Sequence, residues 1–191
     1  MAVIYHISPK RAGHAFVGNM VKSWTGCEYH DNEGLLPCRA LWVPKDAVIL
    51  LQTRYLFNWW ASYTKHKQRL NSTPKNGVFR KWLHITREFY GVTNYLKDYK
   101  VIRILYDSFA SSRAYRKDIC GMLDGDYNED YLNIVPYNGG GSSFDGLKFN
   151  GMAHKMDILK RYHQVPASCF NSIRHDKEAM KLQKYICNSQ Y

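Results

Sequence analysis

Two adjacent cations, Lys10 and Arg11, lie between a predicted strand and a predicted helix. The run from Val3 to Ser8 is mostly apolar and lacks Gly and Pro, which is typical of a strand buried in a parallel sheet. From His14 onward, apolar residues recur at helical spacing: Phe16, Val17, Met20, Val21 and Trp24. A loop in this position directs free N–H groups and the positive end of the helix dipole to one place, which suits a phosphate or sulfate. Alternatively the two cations are only solvated, since the full GxxxxGK[ST] pattern of an ATP-binding loop is missing.

A third cation, Arg54, ends the clearest buried strand, an apolar run that begins at Ala47. The carboxyl ends of parallel strands line the ligand crevice, so we expect Arg54 at the same edge as the basic loop. The next segment, with Asn58 as a possible N-cap, is predicted to be a helix to Arg69. Its polar residues recur every three or four positions and form either a functional stripe or a solvent-facing side; they are Asn58, Ser62, Lys65 and Arg69.

Titratable side chains are concentrated between Glu28 and Glu33, in a segment that reads as a polar loop close to the basic loop in sequence. Side chains of this kind can act as a general base, and His30 and Glu33 are the preferred candidates. His14 is a further choice, because an imidazole at a helix N-terminus would stay neutral and contact a donor molecule. The alternative is that this segment is a solvated connection.

The remaining pattern alternates strands and helices, although it weakens after Asp124. The predicted elements are a helix from Val78 to Leu96 that ends or kinks at Gly91, a strand from Lys100 to Tyr106, a helix to Leu123 capped by Ser111 or Ser112, and a last helix near 176–187. This order predicts an α/β fold with a parallel sheet covered on both faces.

Composition favours one domain, residues 1–191, with 45% hydrophobic residues. The net charge of +11 favours polyanionic ligands, and the cations are spread along the chain rather than gathered in a tail. Five irregularly spaced cysteines without a CxxC pair indicate reduced thiols rather than a zinc site or a disulfide framework. Neither a signal segment nor a membrane span is indicated, so we expect a soluble, cytoplasmic protein.

Three segments together resemble the sulfotransferase family, which transfers a sulfuryl group from PAPS (3'-phosphoadenosine 5'-phosphosulfate). Lys10 to Phe16 is similar to the family loop Pro-Lys-Ser-Gly-Thr-Thr-Trp, with Arg11 at the place of its lysine. The stretch from Arg54 to Tyr63 keeps the Arg, Asn, Ser and Tyr of the family motif RDPRNxxxSY. Leu105 to Phe109 looks like the family's Tyr-Glu-Asp strand end, and the resemblance extends over residues 1–123.

The resemblance implies a three-layer α/β sandwich with a central parallel sheet, the P-loop NTPase-like sulfotransferase fold, in a chain close to the short bacterial or phage members. It also implies PAPS as donor, PAP (adenosine 3',5'-bisphosphate) as product, no metal, and Arg11 as a catalytic cation. The cofactor-binding residues it implies are Lys10, Arg11, Ala12, Gly13, His14, Ala15, Arg54 and Ser62, with Gly140, Gly141 and Ser142 from a late glycine-rich loop. The chain departs from the family at Ala12, at His14-Ala15 and at Tyr55-Leu56.

The leading hypothesis is therefore a sulfotransferase that acts on a hydroxyl or amine of a glycan or small molecule. A nucleotide-dependent kinase of related fold is the second hypothesis, but the loop lacks a GK[ST] end and no strand-end Asp is evident for Mg²⁺. The third is a non-enzymatic nucleic-acid binder that would use the positive charge and the 15 tyrosines. Nucleic acid is the less favoured partner, because much of the aromatic content lies at helical spacing typical of a core.

Overall fold

The computed structural model describes residues 3–137 and 141–188, and its centre is a parallel sheet of four strands. The strands are β1 (Ile4–Ser8), β2 (Tyr29–Glu33), β3 (Val48–Thr53) and β4 (Lys100–Leu105), in the order β2-β1-β3-β4. β1 and β3 are buried along their whole length, as their continuous apolar runs predict. The α/β class and the all-parallel sheet flanked by helices are confirmed.

Helices cover both faces of the sheet because successive strand residues point to opposite sides. On one face, Ile4 and Leu50 pack with α1 (His14–Thr25), α4 (Tyr106–Ser111) and α5 (Arg113–Met122). On the other face, residues such as Ile7 and Leu51 pack with the 3-10 helix Pro37–Trp42 and with α3 (Asn76–Phe89). The described helices also include α2 (Leu56–Arg69), α6 (Asn171–Arg174) and α7 (Lys177–Asn188).

The prediction of a polar loop from Thr25 to Gly34 is wrong in its second half, which forms the edge strand β2. Tyr29 to Glu33 pair in parallel register with Ile4 to Ser8. The strand is only partly buried, so polar residues are tolerated and the sequence shows no hydrophobic signal. Its residues therefore alternate between the two faces of the sheet, so His30 and Glu33, three positions apart, lie on opposite faces.

The helix boundaries also differ from the predictions. Asn58 is not an N-cap: α2 begins at Leu56, and the buried Asn58 amide donates to Asp107 Oδ1 and to the Leu159 carbonyl. α3 ends at Phe89 rather than Leu96, and Gly91 follows it with a left-handed φ of 68°. The predicted cap of α5 is confirmed, since Ser112 Oγ accepts from the Tyr115 N–H at 3.2 Å.

The chain beyond Met122 is mostly turns and short 3-10 helices before α6 and α7. The 3-10 segment Ile158–Gln164 packs on α2 at the carboxyl edge of the sheet, where the Ile158 carbonyl accepts from Arg54 at 2.9 Å. This late segment therefore covers the strand ends that carry the candidate residues. In the described ranges, no helix combines the length and the apolar character required to cross a membrane.

Candidate functional site

A cleft of about 720 Å³ lies at the carboxyl edge of β1 and β3. One wall consists of the basic loop, the start of α1 and part of α2, and includes Arg11, Arg54 and Ser62. The opposite wall comes from the late chain, residues 132–136, 141–144 and 153–161. Its size and its mixed lining are those of a site for a small molecule or nucleotide.

The main chain of the basic loop turns its carbonyls into the protein. Trp59 Nε1 donates to the Lys10 carbonyl and Gln52 Nε2 donates to the Ala12 carbonyl, each at 2.7 Å. α1 has Gly13 as its N-cap and no side-chain cap. In the part of the chain that the structure describes, the N–H groups of Gly13, His14 and Ala15 consequently have no acceptor. These amides are donors for an anion at the start of α1.

Gly13 is required at this point for two reasons. Its φ is 87°, in the left-handed region that favours glycine, and a Cβ atom there would overlap the ring of Tyr106. The Tyr106 ring in turn lies under the Arg54 guanidinium, 4.6 Å from ring centroid to Cζ. The loop, Tyr106 and Arg54 therefore form one packed unit.

The Arg11 guanidinium lies in the cleft and is held by neutral oxygens. Its Nε and Nη2 donate to Ser143 Oγ at 3.0 and 2.7 Å, and Nη2 also donates to the Gly141 carbonyl at 3.1 Å. Burial lowers the pKa of Arg11, although an arginine remains charged in proteins. The positive charge of this side chain is not matched by a salt bridge to any described carboxylate.

Arg54 has the same kind of surroundings and is only 4% exposed. Its Nη1 donates to Ser62 Oγ at 3.2 Å, Nη2 donates to the Ile158 carbonyl, and Nε has no hydrogen-bond partner among the described residues. Buried charges are normally paired with an opposite charge. An unpaired buried guanidinium beside a hydroxyl, on the wall of a cleft, points to an anionic ligand.

His14, unlike Arg11 and Arg54, is paired with carboxylates. Its Nε2 donates to Asp31 Oδ2 at 2.6 Å and its Nδ1 donates to Glu33 Oε1 at 3.0 Å. Burial alone would lower the pKa of His14, but the two carboxylates outweigh burial and raise it to about 9. The expectation of a neutral imidazole at this helix N-terminus is therefore wrong, because the local carboxylates dominate over the helix dipole.

The interaction with His14 also lowers the pKa values of the two carboxylates. Burial favours the protonated form of Glu33, but the hydrogen bonds from His14 and from the Arg11 N–H at 2.8 Å lower its pKa. The pKa of Asp31 is lowered by His14 for the same reason, again against the effect of burial. Glu33 lies on the cleft wall, but a carboxylate with a low pKa is a weak general base.

A buried histidine lies behind this cluster. His6 is 0% exposed, and its Nδ1 shares a hydrogen bond with the hydroxyl of Tyr29. Burial, and then the charge of His14, lower the pKa of His6 to about 3, so the ring is neutral. The β2 edge of the site is thus a network in which His14 carries the positive charge and His6 does not.

Comparisons with known proteins give no relatives: no family model matches the chain, and no curated protein or solved structure is significantly similar to it. Within residues 3–137 and 141–188, no group of three or more His, Cys, Asp or Glu side chains is arranged to hold a metal ion. The functional argument therefore depends on the geometry of the cleft.

Most of the residues predicted for the site meet on the cleft wall: Arg11, Gly13, His14, Ala15, Glu33, Arg54, Ser62, Gly141 and Ser142. Lys10 is exposed on the outer side of the loop, and the Ala12 side chain is buried in the core beside Trp59. His30 lies on the other face of the sheet, where it stacks on Tyr5 at 4.5 Å and pairs with Glu28. We therefore withdraw His30 as a base. Gly140, also predicted for the site, lies outside the described residues.

Several cleft residues were missed by the sequence reasoning. Arg161 is 3% exposed and pairs with Asp145, and Ser143 binds Arg11 from a distant part of the chain. No local pattern marks these side chains, since their partners are remote in sequence. His154 also lines the cleft, with Nδ1 donating to Asn133 Oδ1 at 2.8 Å. Its position in a weakly patterned basic stretch gave no signal.

Proposed function

We propose that this protein is a PAPS-dependent sulfotransferase with a P-loop NTPase-like fold, which transfers a sulfuryl group to a hydroxyl or amine of a glycan or small molecule. One observation carries the proposal: the Arg11 side chain and the Arg54–Ser62 pair share one cleft, and neither guanidinium forms a salt bridge with a carboxylate of the described residues. A nucleotide with phosphates on both its 3' and 5' sides has matching charges at two places.

The residues of the cleft fit this donor. PAPS supplies the sulfuryl group and leaves a 5'-phosphate on which negative charge increases as the bond breaks. The free amides of Gly13, His14 and Ala15 and the Arg11 guanidinium are fixed donors for such charge. Trp59 and Gln52 hold the carbonyls of Lys10 and Ala12 in the same loop, so the loop needs little reorganisation.

Arg54 and Ser62 are proposed to hold the 3'-phosphate. A guanidinium and a hydroxyl 3.2 Å apart offer several donors to one phosphate group, and the stacking of Arg54 on Tyr106 fixes the plane of the guanidinium. Asp107 accepts from the Tyr55 N–H at 2.7 Å and from Asn58, so its carboxylate stabilises the turn between β3 and α2.

A general base is proposed at His154 in place of His30 and Glu33. His14 is paired with two carboxylates and Glu33 accepts from two donors, whereas His154 uses only Nδ1, which donates to Asn133 Oδ1, and its exposed imidazole lines the cleft. An imidazole with one nitrogen fixed by a hydrogen bond is a common general base. The acceptor would bind between the basic loop and the 153–161 segment.

The test compares nucleotides that differ in the 3'-phosphate. Arg54→Ala should weaken PAP by about 2 kcal/mol or more, because a charge-assisted contact is lost, and should weaken 5'-AMP far less. Isothermal calorimetry measures both affinities. Arg103→Ala is the matched control, since Arg103 is an exposed cation on the neighbouring strand β4 and should leave both affinities unchanged.

Equal losses for the two nucleotides would remove the 3'-phosphate assignment. Binding of ATP in preference to PAP by the unmodified chain would favour the kinase hypothesis instead. If the unmodified chain binds neither PAP nor ATP, the proposed function is overturned.

A further inference from the structure

A row of cations runs outward from the mouth of the cleft; we call Lys10, Arg11, Arg69 and Lys81 the basic stripe. Arg69 Nη1 donates to the Ser142 carbonyl at 3.2 Å, at the cleft mouth. At the other end, Lys10 and Lys81 flank Gly34: a Cβ there would lie 3.3 Å from Lys10 Cγ and 3.8 Å from Lys81 Nζ. The stripe therefore connects the outside of the basic loop with the cleft.

The charges of the stripe are close together and repel one another. After burial, the charge of Arg69 contributes to the lowered pKa of Arg11, and the pKa of the neighbouring His66 is lowered by burial and then by the charges of Arg11, Lys67 and Arg69. Lys81 donates to the Gly34 carbonyl at 2.9 Å, which satisfies its hydrogen bonding but not its charge. This crowding is unfavourable in the free protein unless an anion is recruited.

No described carboxylate forms a salt bridge with the stripe. The acids nearby are already engaged, since Glu33 and Asp31 bind His14. Arg116 and Arg87, by contrast, pair with Glu129 and Glu178. The stripe is thus an uncompensated surface, continuous with a cleft that is itself positively charged.

We propose that the basic stripe binds an acidic polysaccharide and guides one of its hydroxyl or amine groups into the cleft. This inference rests on the proposed function and names its acceptor class. Charges repeated along a sugar chain match a row of separate cations, and sugars carry the hydroxyl groups that the reaction needs.

The experiment measures binding of four fluorescent probes to the full chain over a range of salt concentrations. The probes are a sulfated heparin fragment, a carboxylated hyaluronan fragment, neutral dextran and an oligothymidylate of matched charge. The stripe variant is Arg69→Gln with Lys81→Gln. The control is Lys181→Gln with Lys184→Gln, which removes the same charge from exposed positions of α7. Thermal unfolding verifies that both variants are folded.

We expect the stripe variant to weaken the heparin and hyaluronan fragments about tenfold or more, and to reduce the slope of log K against log salt by about 2. The control should change the affinity by less than about twofold, and dextran should not bind. Equal weakening by the control would show a non-specific charge effect and overturn the proposal. So would tighter, stripe-dependent binding of oligothymidylate, or no binding of either acidic fragment.

PAP affinity, measured in the same variants, separates this proposal from the proposed function. It should be unchanged in both variants, because neither removes a residue assigned to the nucleotide. If the unmodified chain binds the acidic fragments through the stripe but binds no PAP, the surface assignment stands and the sulfotransferase assignment fails.

Discussion

The cations on the two sides of the basic loop have different partners: carboxylates on one side and neutral oxygens on the other. On the β2 side, His14 lies between two carboxylates; we call His14, Asp31 and Glu33 the acidic flank. On the β3 side, Arg11 and Arg54, the basic flank, are held by hydroxyl and carbonyl oxygens. Both flanks lie at the same edge of the sheet, and all their residues except the exposed Asp31 are partly or fully buried.

The difference indicates which flank has a structural role and which is available to a ligand. The acidic flank combines one imidazolium with two carboxylates, so its net charge is negative and it has little affinity for an anion. A cation that is satisfied only by neutral groups keeps its charge available, and the low dielectric of a cleft strengthens its attraction for an anion. The basic flank is therefore distinguished as the anion site by the partners of its cations, and not by how many cations it has.

The largest expected effect is from Gly13→Ala, which acts between the two flanks. A Cβ at this position would overlap Tyr106, which supports Arg54, and the left-handed backbone adds strain. We expect a loss of about 3 kcal/mol in the free energy of unfolding, measured with denaturant.

The control for this change is Gly91→Ala. Gly91 is also left-handed, with φ of 68°, but a Cβ there would meet no atom within 4 Å. It should lose about 1 kcal/mol, the conformational contribution alone. Equal losses at the two positions would mean that the close approach of Tyr106 is unimportant for the basic flank.

The next effect tests whether the acidic flank is only structural. If it is, the proton acceptor must lie elsewhere on the cleft wall, and His154→Gln should lower turnover about 10²-fold or more. PAP affinity should remain unchanged. Steady-state kinetics with an identified acceptor and calorimetry with PAP measure the two quantities.

His30→Gln is the matched histidine control, since His30 lies on the opposite face of the sheet. It should turn over normally. Normal turnover of His154→Gln would reject this base and direct attention to Asp157, which lines the same wall.

The sequence predicted the basic flank better than the acidic one, for a local reason. β1, the basic loop and β3 are marked by continuous apolar runs and by the cations that follow them. β2 is an edge strand of polar residues, so its pairing with β1 is a tertiary event without a hydrophobic pattern. His30 and Glu33 therefore looked equivalent in sequence, although the strand places them on opposite faces.

Long-range partners account for the other misses. Asn58 has the composition of an N-cap, but its amide is used by Asp107 and Leu159, far away in sequence. Ser143, which holds Arg11, comes from a stretch with no regular secondary structure. Contacts of this kind depend on how the late chain folds back over the strand ends, which neither periodicity nor turn residues encode.

The smallest predicted effect is the pH dependence of the acidic flank. The pKa of His14 is raised from 6.5 to about 9, so its contribution to stability is fully present below pH 6.5 and is lost as the pH rises through about 9. We expect the free energy of unfolding to fall by about 2 kcal/mol over this window, somewhat less than the full shift implies because the cluster is partly solvated.

The measurement compares denaturant unfolding of the unmodified chain, His14→Gln and the control His175→Gln, an exposed histidine, between pH 5 and pH 9. His14→Gln should remove most of the decrease between pH 6.5 and 9, because the glutamine amide does not titrate, whereas His175→Gln should retain it. At lower pH the sign reverses: the pKa values of Asp31 and Glu33 are lowered, so their contribution is lost as the pH falls below their ordinary range. Stability should therefore be greatest between about pH 5 and 6.5, where both partners are charged. An identical pH profile for the unmodified chain and His14→Gln would show that the acidic flank is not a charged pair, and the contrast between the two flanks would then be lost.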